Sequence, residues 1–171
     1  MSLEQKINNL ETDLHIMGTL VLDSLVGAVR ALEDKDTLKA SEVMDKDDEI
    51  DDAYMKIDQD WFELMATEQP VASDLRLSTS ILQASLHLER LGDLSVYLGK
   101  TTHEIHDLPI PESLHKIVVE MGDMVIDMAS SALESLKNRD AELALSTARK
   151  DELINSLYNK MLNEVPNISG N

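Results

Sequence analysis

The sequence predicts an all-α protein of five long helices, and three observations support this fold class. Apolar residues recur at spacings of three and four along most of the chain, which is the period of a helix face and differs from the alternation of a strand. The four prolines lie between these segments or near their ends. A long internal repeat relates the two halves of the chain, so the same helical unit is expected twice.

Composition limits what such a protein can do. The chain has 171 residues, 43% of them hydrophobic, which is enough to bury a substantial core. Its net charge of -18 and its 3% aromatic content argue against binding to nucleic acid, which needs arrays of Lys and Arg and, for single strands, stacking side chains. The absence of cysteine excludes disulfides and zinc–thiolate sites and fits a reducing cytosol. The most apolar stretch is interrupted by Asp23, so neither export nor membrane insertion is predicted.

Helix one is predicted over residues 3–33 and helix two over residues 37–67. Each carries a row of residues three and four apart, the stripe by which a helix packs against its neighbours. The row on helix one is Leu3, Ile7, Leu10, Leu14, Met17, Val21, Ala28 and Leu32. The row on helix two is Ala40, Val43, Asp47, Ile50, Tyr54, Ile57, Trp61 and Leu64. Asp47 therefore puts a carboxylate where an apolar side chain is expected.

Helix three is predicted to begin at Pro70, since proline suits the first turn of a helix, and to end before the linker HDLPIP. It carries two rows rather than one. The first row is Leu75, Thr79, Leu82, Leu86, Glu89, Asp93 and Val96. The second row is Leu77, Ile81, Ala84, Leu88, Leu91 and Leu98. Two consecutive members of the first row are carboxylates.

Helix four (about 112–137) and helix five (about 140–165) repeat the pattern of helices one and two. When the chain is shifted by 104 residues, 13 of the 41 pairs that start at positions 17 to 57 are identical. We therefore predict a tandem repeat of antiparallel three-helix bundles, the first over residues 1–106 and a second, incomplete one of two helices over residues 107–171. Two single-striped helices leave a groove, to be filled by residues absent from the chain, by a neighbouring subunit or by the first bundle.

Two pairs of acids four residues apart stand out, Asp47 with Asp51 and Glu89 with Asp93, because each pair has a member in an apolar row. Burying an unpaired carboxylate costs several kcal/mol, by order of magnitude, unless a cation or donor neutralises it. Two adjacent helices with one pair each would offer oxygens to hard cations such as Mg²⁺, Ca²⁺, Mn²⁺ or iron. The alternative is that Arg90, Arg76 or Lys46 pairs with these acids, or that they lie in water.

The remaining acids are weaker candidates for metal ligands. Asp48, Glu49 and Asp52 fall off the row and are predicted to face solvent. The second repeat retains Asp151 but has Asn155 in place of an equivalent of Asp51, and it has no equivalent of Glu89 and Asp93. One further pair four residues apart occurs on helix four, and its members are Asp123 and Asp127.

No catalytic or cofactor-binding residue is predicted. A di-iron carboxylate bundle needs two Glu-x-x-His motifs, and only Glu112-x-x-His115 is present, at a helix start. The sequence contains no Gly-rich phosphate loop after a strand, no nucleophile elbow and no Ser-His-Asp set that could be placed together.

Three motifs give the chain a resemblance to a known family. QPVASDLR (residues 69–76), LERLGD (residues 88–93) and DDEID (residues 47–51) resemble in order and spacing the PhoU family of phosphate-signalling regulators, whose fold is two spectrin-like three-helix bundles. The family's metal motif, E/D-x-x-x-D, falls on two pairs in this chain. Those pairs are Asp47 with Asp51 and Glu89 with Asp93. The resemblance implies that these residues bind iron, zinc, manganese or magnesium.

The resemblance also implies a function. A PhoU-like protein is expected to be a non-enzymatic cytoplasmic adaptor that negatively regulates phosphate transport and phosphate-starvation signalling. Its expected partners are the ATPase subunit of the phosphate ABC transporter and a sensor histidine kinase, and it is expected to form a homodimer or oligomer and to reach the membrane only through partners. The chain departs from the family pattern at Asn155 and in lacking second copies of the QPVA-DLR and LER-GD motifs. The alternatives are a metal-storage protein, a metal-dependent carboxylate-bundle enzyme or a simple helical scaffold.

Overall fold

The structure, a computed structural model, describes residues 1–168 and their side chains as far as residue 164. This part of the chain contains no strand and forms five helical rods, two of which are interrupted once. The all-α prediction is therefore confirmed. The helices are α1 (Leu3–Asp34), α2 (Thr37–Asp45), α3 (Asp47–Glu68), α4 (Ala72–Ile105), α5 (Glu112–Asn138), α6 (Ala141–Arg149) and α7 (Asp151–Ile168).

Two of the predicted helices are interrupted and one begins later than predicted. Predicted helix two is broken at Lys46 into α2 and α3, and predicted helix five is broken at the repeat-equivalent Lys150 into α6 and α7. Lys46 has φ -92° and ψ 0°, outside the range of a regular helix, although lysine itself favours helices. The third rod begins at Ala72, with Val71 as its extended N-cap, and not at Pro70, which is buried in the turn before it.

The same local signals end and start helices in both repeats. The residue after α1 and the residue after α5, Lys35 and Arg139, both adopt the left-handed conformation with φ 53°. The next residue in each case is an aspartate whose carboxylate accepts two backbone N–H groups of the following helix, Asp36 for α2 and Asp140 for α6. The internal repeat is therefore a repeat of structure as well as of sequence.

The first bundle is built around α1, which packs against α2, α3 and α4. Every member of the row predicted on helix one is buried except Leu3, which is half-buried. Helix α4 approaches its neighbours through small residues that recur every seven positions. The members of this series that are buried are Ser78, Ser85, Gly92 and Gly99. Small side chains let helix axes come close, and this close approach places α4 against both α1 and α3.

The second repeat is joined to the first through α5 and α1, and the contact is pseudo-symmetric. A β-carbon on Gly18 of α1 would lie 2.8 Å from Cδ2 of Leu133 on α5, and a β-carbon on Gly122 of α5 would lie 2.8 Å from both methyl carbons of Val29 on α1. Gly18 and Gly122 are repeat equivalents, and so are Val29 and Leu133. The two antiparallel helices therefore exchange the same pair of contacts across a pseudo-twofold axis.

The predicted groove is present. A cleft of about 600 Å³ separates α4 from α5 and α6, with Leu88 on one wall and Leu136 on the other. Positions that are fully covered in the first repeat are open on this side, since Ala40 is buried whereas its equivalent Ala144 is exposed. The loop between α4 and α5 lies at the predicted domain boundary. The division into domains 1–106 and 107–171 stays a prediction, and residues 169–171 of the second lie outside the described part of the chain.

One row predicted on helix three is wrong in part. The second row faces the core, where Ile81 and Leu88 are buried. In the first row Leu75 and Leu86 are exposed, because the buried face of α4 is centred on the small residues and this row lies to one side of it. Periodicity alone does not show which of two apolar rows on one helix is buried more deeply.

By length and composition, α1 is the one described helix that could cross a membrane. Half of its most apolar 18-residue window is buried inside the bundle, and the central helix of a water-soluble bundle passes the same test. The apolar length of α1 is therefore accounted for by its place in the core.

Candidate metal centre

The four predicted ligands come together on neighbouring helices. Asp47 opens α3 and Asp51 follows one turn later, while Glu89 and Asp93 are one turn apart on α4. Helices α3 and α4 are joined by a short turn and pack side by side. A β-carbon on Gly92 would lie 3.1 Å from Cδ1 of Ile50 and 3.8 Å from Oδ1 of Asp47, so the two pairs face each other at the same level.

The carboxylates act on one another electrostatically. The pKa of Asp47 is raised above its ordinary value, first by burial and then by the negative charges of Asp51 and Asp93. The pKa of Glu89 is raised in the same way, first by burial and then by Asp93 and Asp51. Each raised pKa means that the ionised form is disfavoured in the folded protein, which is the condition that a bound cation would relieve.

The structure does not show the alternative, in which Lys or Arg side chains form ion pairs with these four carboxylates. Within the side chains described up to residue 164, none of the four carboxylates lies within 4.0 Å of a Lys or Arg nitrogen. Arg90 and Lys100 are near enough only to lower the pKa of Glu89 and of Asp47 slightly, against the larger effects that raise them.

Burial of the four groups is less complete than their place in apolar rows predicts. Asp47 and Glu89 are half-buried, whereas Asp51 and Asp93 are exposed at the edge of the α3–α4 crease. Over residues 1–168 no three Asp, Glu or His side chains are close enough, as they stand, to hold a metal ion. In its chemistry the donor set nevertheless fits a hard or borderline cation, because it consists of four carboxylates with no Lys or Arg nitrogen within 4.0 Å.

The acids predicted to face solvent do so. Asp48, Glu49 and Asp52 on α3 are all exposed. They add negative potential around the crease without lying in it.

The weaker candidates in the second half have partners of their own. Asp123 pairs with Arg30 of α1 at 2.9 Å, and Asp127 pairs with Lys150 at 2.5 Å. Asn155 donates its amide N–H to a carboxylate oxygen of Asp151 at 3.0 Å. The structure therefore brings these three acids to donors within the protein and not to one another, and a ligand role for them stays a prediction.

Two of the five histidines link one helix to another. His115 Nε2 lies 2.9 Å from the backbone oxygen of Glu33, which ties the start of α5 to the end of α1. His103 Nε2 lies 3.0 Å from Oγ of Ser41, which ties α4 to α2. Glu112, the acid of the single Glu-x-x-His motif, pairs with Lys116 at 2.5 Å, and the pKa of Glu112 is lowered by that hydrogen bond.

Sequence reasoning missed the part that Gly92 plays. This glycine is buried between Ile50 and Asp47 and lets α3 approach α4 at the level of the carboxylates. The sequence does carry a signal for this close approach. Small residues recur at intervals of seven positions along helix three, at Ser78, Ser85, Gly92 and Gly99, which is the pattern of a helix face that packs closely.

Comparisons with known proteins agree with this architecture. The PhoU domain matches residues 14–102 and 118–171. A phosphate-specific transport system accessory protein PhoU homolog from Clostridium acetobutylicum is 32% identical over 169 residues, 96% of this chain and 75% of that protein. Homologues of the same name from Pseudomonas aeruginosa and Pseudomonas putida are also 32% identical, over 94% of this chain, and the chain spans 66% and 62% of their lengths.

Two solved structures have the same fold. The crystal structure of PhoU from Pseudomonas aeruginosa superposes with a TM-score of 0.93 at 30% identity, covering 98% of this chain and 80% of that one. The crystal structure of the phosphate transport system regulatory protein PhoU from Streptococcus pneumoniae superposes with a TM-score of 0.87 at 28% identity, covering 98% and 78%.

Proposed function

Because this chain belongs to the PhoU family, we propose that it is an accessory protein of the phosphate-specific transport system that negatively regulates phosphate uptake and phosphate-starvation signalling. The observation that carries the proposal is the match along 94–96% of the chain to relatives that bear this accessory name. Their names are regulatory rather than enzymatic, which supports a role as an adaptor without a catalytic step.

The proposed adaptor acts in the cytoplasm as a homodimer or oligomer. Its proposed partners are the ATPase subunit of the phosphate transporter and the sensor histidine kinase of the phosphate response, and it reaches the membrane only through them. The net charge of -18 supports protein partners over nucleic acid or an anionic membrane surface, since both of those would repel it.

Deletion of the gene tests the regulatory role. In phosphate-replete medium the deletion strain is expected to take up phosphate faster than the parent and to express a phosphate-starvation reporter. An affinity-tagged chain is expected to co-purify with the transporter ATPase from the native cell. Normal uptake in the deletion strain, together with no recovery of the ATPase, would contradict the proposal.

We further propose that Asp47, Asp51, Glu89 and Asp93 hold a metal ion, one of iron, zinc, manganese or magnesium. Support comes from the convergence of four carboxylates across the α3–α4 crease and from the raised pKa values of Asp47 and Glu89. The bound ion would supply the positive charge that this set of acids lacks. The residues themselves would link α3 to α4.

Elemental analysis after purification in metal-supplemented buffer tests this site. The parent is expected to retain metal, and Asp47→Ala with Glu89→Ala is expected to lose it. Asp48→Ala with Asp52→Ala removes the same amount of charge from exposed positions and is expected to keep the metal. Loss of metal from the control pair, or none in the parent, would show that no such site exists.

A further inference from the structure

An exposed apolar face lies beside the carboxylates and has no role in the fold. Met55 and Phe62 on α3 are each 61% exposed, and Leu86 and Leu75 on α4 are 43% and 42% exposed. Met55 and Phe62 are seven residues apart, and Leu75 and Leu86 are eleven apart, so each pair lies on one side of its helix. We call these four residues the α3–α4 apolar face.

The packing of α3 on α4 makes this face continuous. Gly92 lies against Ile50, and the two helices run antiparallel from a short turn. Met55 lies five residues after Ile50, and Leu86 lies six residues before Gly92, so Met55 and Leu86 are at nearly the same level along the antiparallel pair. Met55 is one turn beyond Asp51, and Leu86 is three residues before Glu89. The apolar face therefore begins one turn from the carboxylates and extends about 16 Å along α4, at 1.5 Å per residue.

Phe62 is the aromatic residue of this face. Its ring meets Trp61 edge to face, with ring centroids 5.4 Å apart and an interplanar angle of 79°. Trp61 is packed against the hydrophobic core. An aromatic side chain offers a large apolar contact area and has only two side-chain torsions to fix on binding, which favours its use as a contact residue.

We propose that the α3–α4 apolar face is a docking surface for a basic amphipathic helix of a partner protein. The apolar side of that helix would cover Met55, Phe62, Leu75 and Leu86, and its Lys or Arg side chains would reach the adjacent carboxylates. The negative charge of the chain and of the acids beside this face favours a basic partner. A second copy of the chain would bring another -18 to a surface edged by acids, and an anionic lipid surface would be repelled in the same way.

Peptide binding to the whole chain tests the proposal. The probe is a fluorescent 18-residue helical peptide of leucine and lysine, and its control replaces every lysine with glutamate. The test variant is Met55→Ser with Leu86→Ser, which leaves the net charge unchanged. The matched control is Leu38→Ser with Leu145→Ser, two leucines that are 79% and 63% exposed on α2 and α6. Circular dichroism verifies that each variant is folded.

The parent is expected to bind the lysine peptide and not the glutamate peptide. The test variant is expected to bind about tenfold more weakly, roughly 1.4 kcal/mol, and the matched control within about twofold of the parent. Equal binding by test variant and parent would overturn the proposal, because attraction would then be by charge alone. Equal weakening in the matched control would overturn it too. A parent dimer that the test variant converts to monomer would make a second copy the occupant and would also overturn it.

Discussion

The pseudo-symmetric contact between α1 and α5 predicts opposite outcomes for the same substitution at equivalent glycines. Alanine is favoured over glycine inside a helix by about 1 kcal/mol. In Gly18→Ala the new methyl group would lie 2.8 Å from Cδ2 of Leu133. That atom is the end of a flexible, half-buried side chain that can rotate away. Gly18→Ala is therefore expected to be neutral or to raise the free energy of unfolding by up to about 1 kcal/mol.

In Gly122→Ala the new methyl group meets the side chain of Val29, which cannot rotate away. The methyl group would lie 2.8 Å from both Cγ1 and Cγ2 of Val29, which is 1% exposed and β-branched, with one strongly preferred rotamer in a helix. Overpacking of this kind costs about 1–3 kcal/mol. After the gain in helix propensity, a net loss of up to about 2 kcal/mol is expected. For a chain of this size each kcal/mol moves Tm by about 2–4 °C.

Urea denaturation followed by circular dichroism measures the difference, provided that the m-values of the variants agree. A double-mutant cycle with Val29→Ala gives the control, since the smaller side chain removes the clash. The cost of Gly122→Ala is then expected to fall by about 1 kcal/mol or more. If Gly122→Ala is as stable as Gly18→Ala, or if Val29→Ala leaves its cost unchanged, the close packing of α5 on α1 is not as described.

Two further predictions concern charge and caps. Asp47→Asn with Glu89→Gln is expected to stabilise the metal-free protein at pH 7. The folded-state pKa of each group is raised, so its ionised form is disfavoured in the folded protein and its protonated form is not. The stability contributed by the protonated groups is lost as the pH rises through that pKa. The stabilisation by the neutral substitutions is therefore expected at pH 7 and should vanish towards pH 4. Denaturation at both pH values measures the stabilisation, with Asp48→Asn as the control. A stabilisation that is the same at both pH values would contradict the prediction. Asp36→Ala and Asp140→Ala each remove an N-cap carboxylate that accepts two backbone N–H groups. Each is expected to lower the free energy of unfolding by about 1 kcal/mol, measured by urea denaturation. No change would show that the caps are dispensable.

The parts of the fold that the sequence predicts well are those where one face of a helix is buried along its whole length. On α1 the apolar row is continuous, and a helix packed against four others, α2, α3, α4 and α5, must bury such a row. The carboxylate pairs were visible for the converse reason, because a charge within an apolar row stands out. Their partial exposure was not predictable, since a row fixes a direction around the helix and not the distance to the next helix.

Other features depend on tertiary packing that has no local signal. Lys46 and Lys150 interrupt their rods although lysine favours helices, so the sequence gives no reason to break the rods there. On α4 two apolar rows compete, and the row containing Leu75 and Leu86 lies to the side of the buried face. That choice follows from the small residues, whose packing role becomes clear only when α1 and α3 are placed against them.

The two repeats differ in the residue one turn after the equivalent aspartates Asp47 and Asp151. In the second repeat Asp127 has a donor in Lys150, and Asp151 has one in Asn155. In the first repeat the equivalent of Asn155 is Asp51, which places a second negative charge beside Asp47 where the second repeat has an amide N–H donor. A cation in the α3–α4 crease, either a metal ion or a Lys or Arg side chain of a basic partner, would relieve a repulsion between Asp47 and Asp51 in whose place the second repeat has a hydrogen bond.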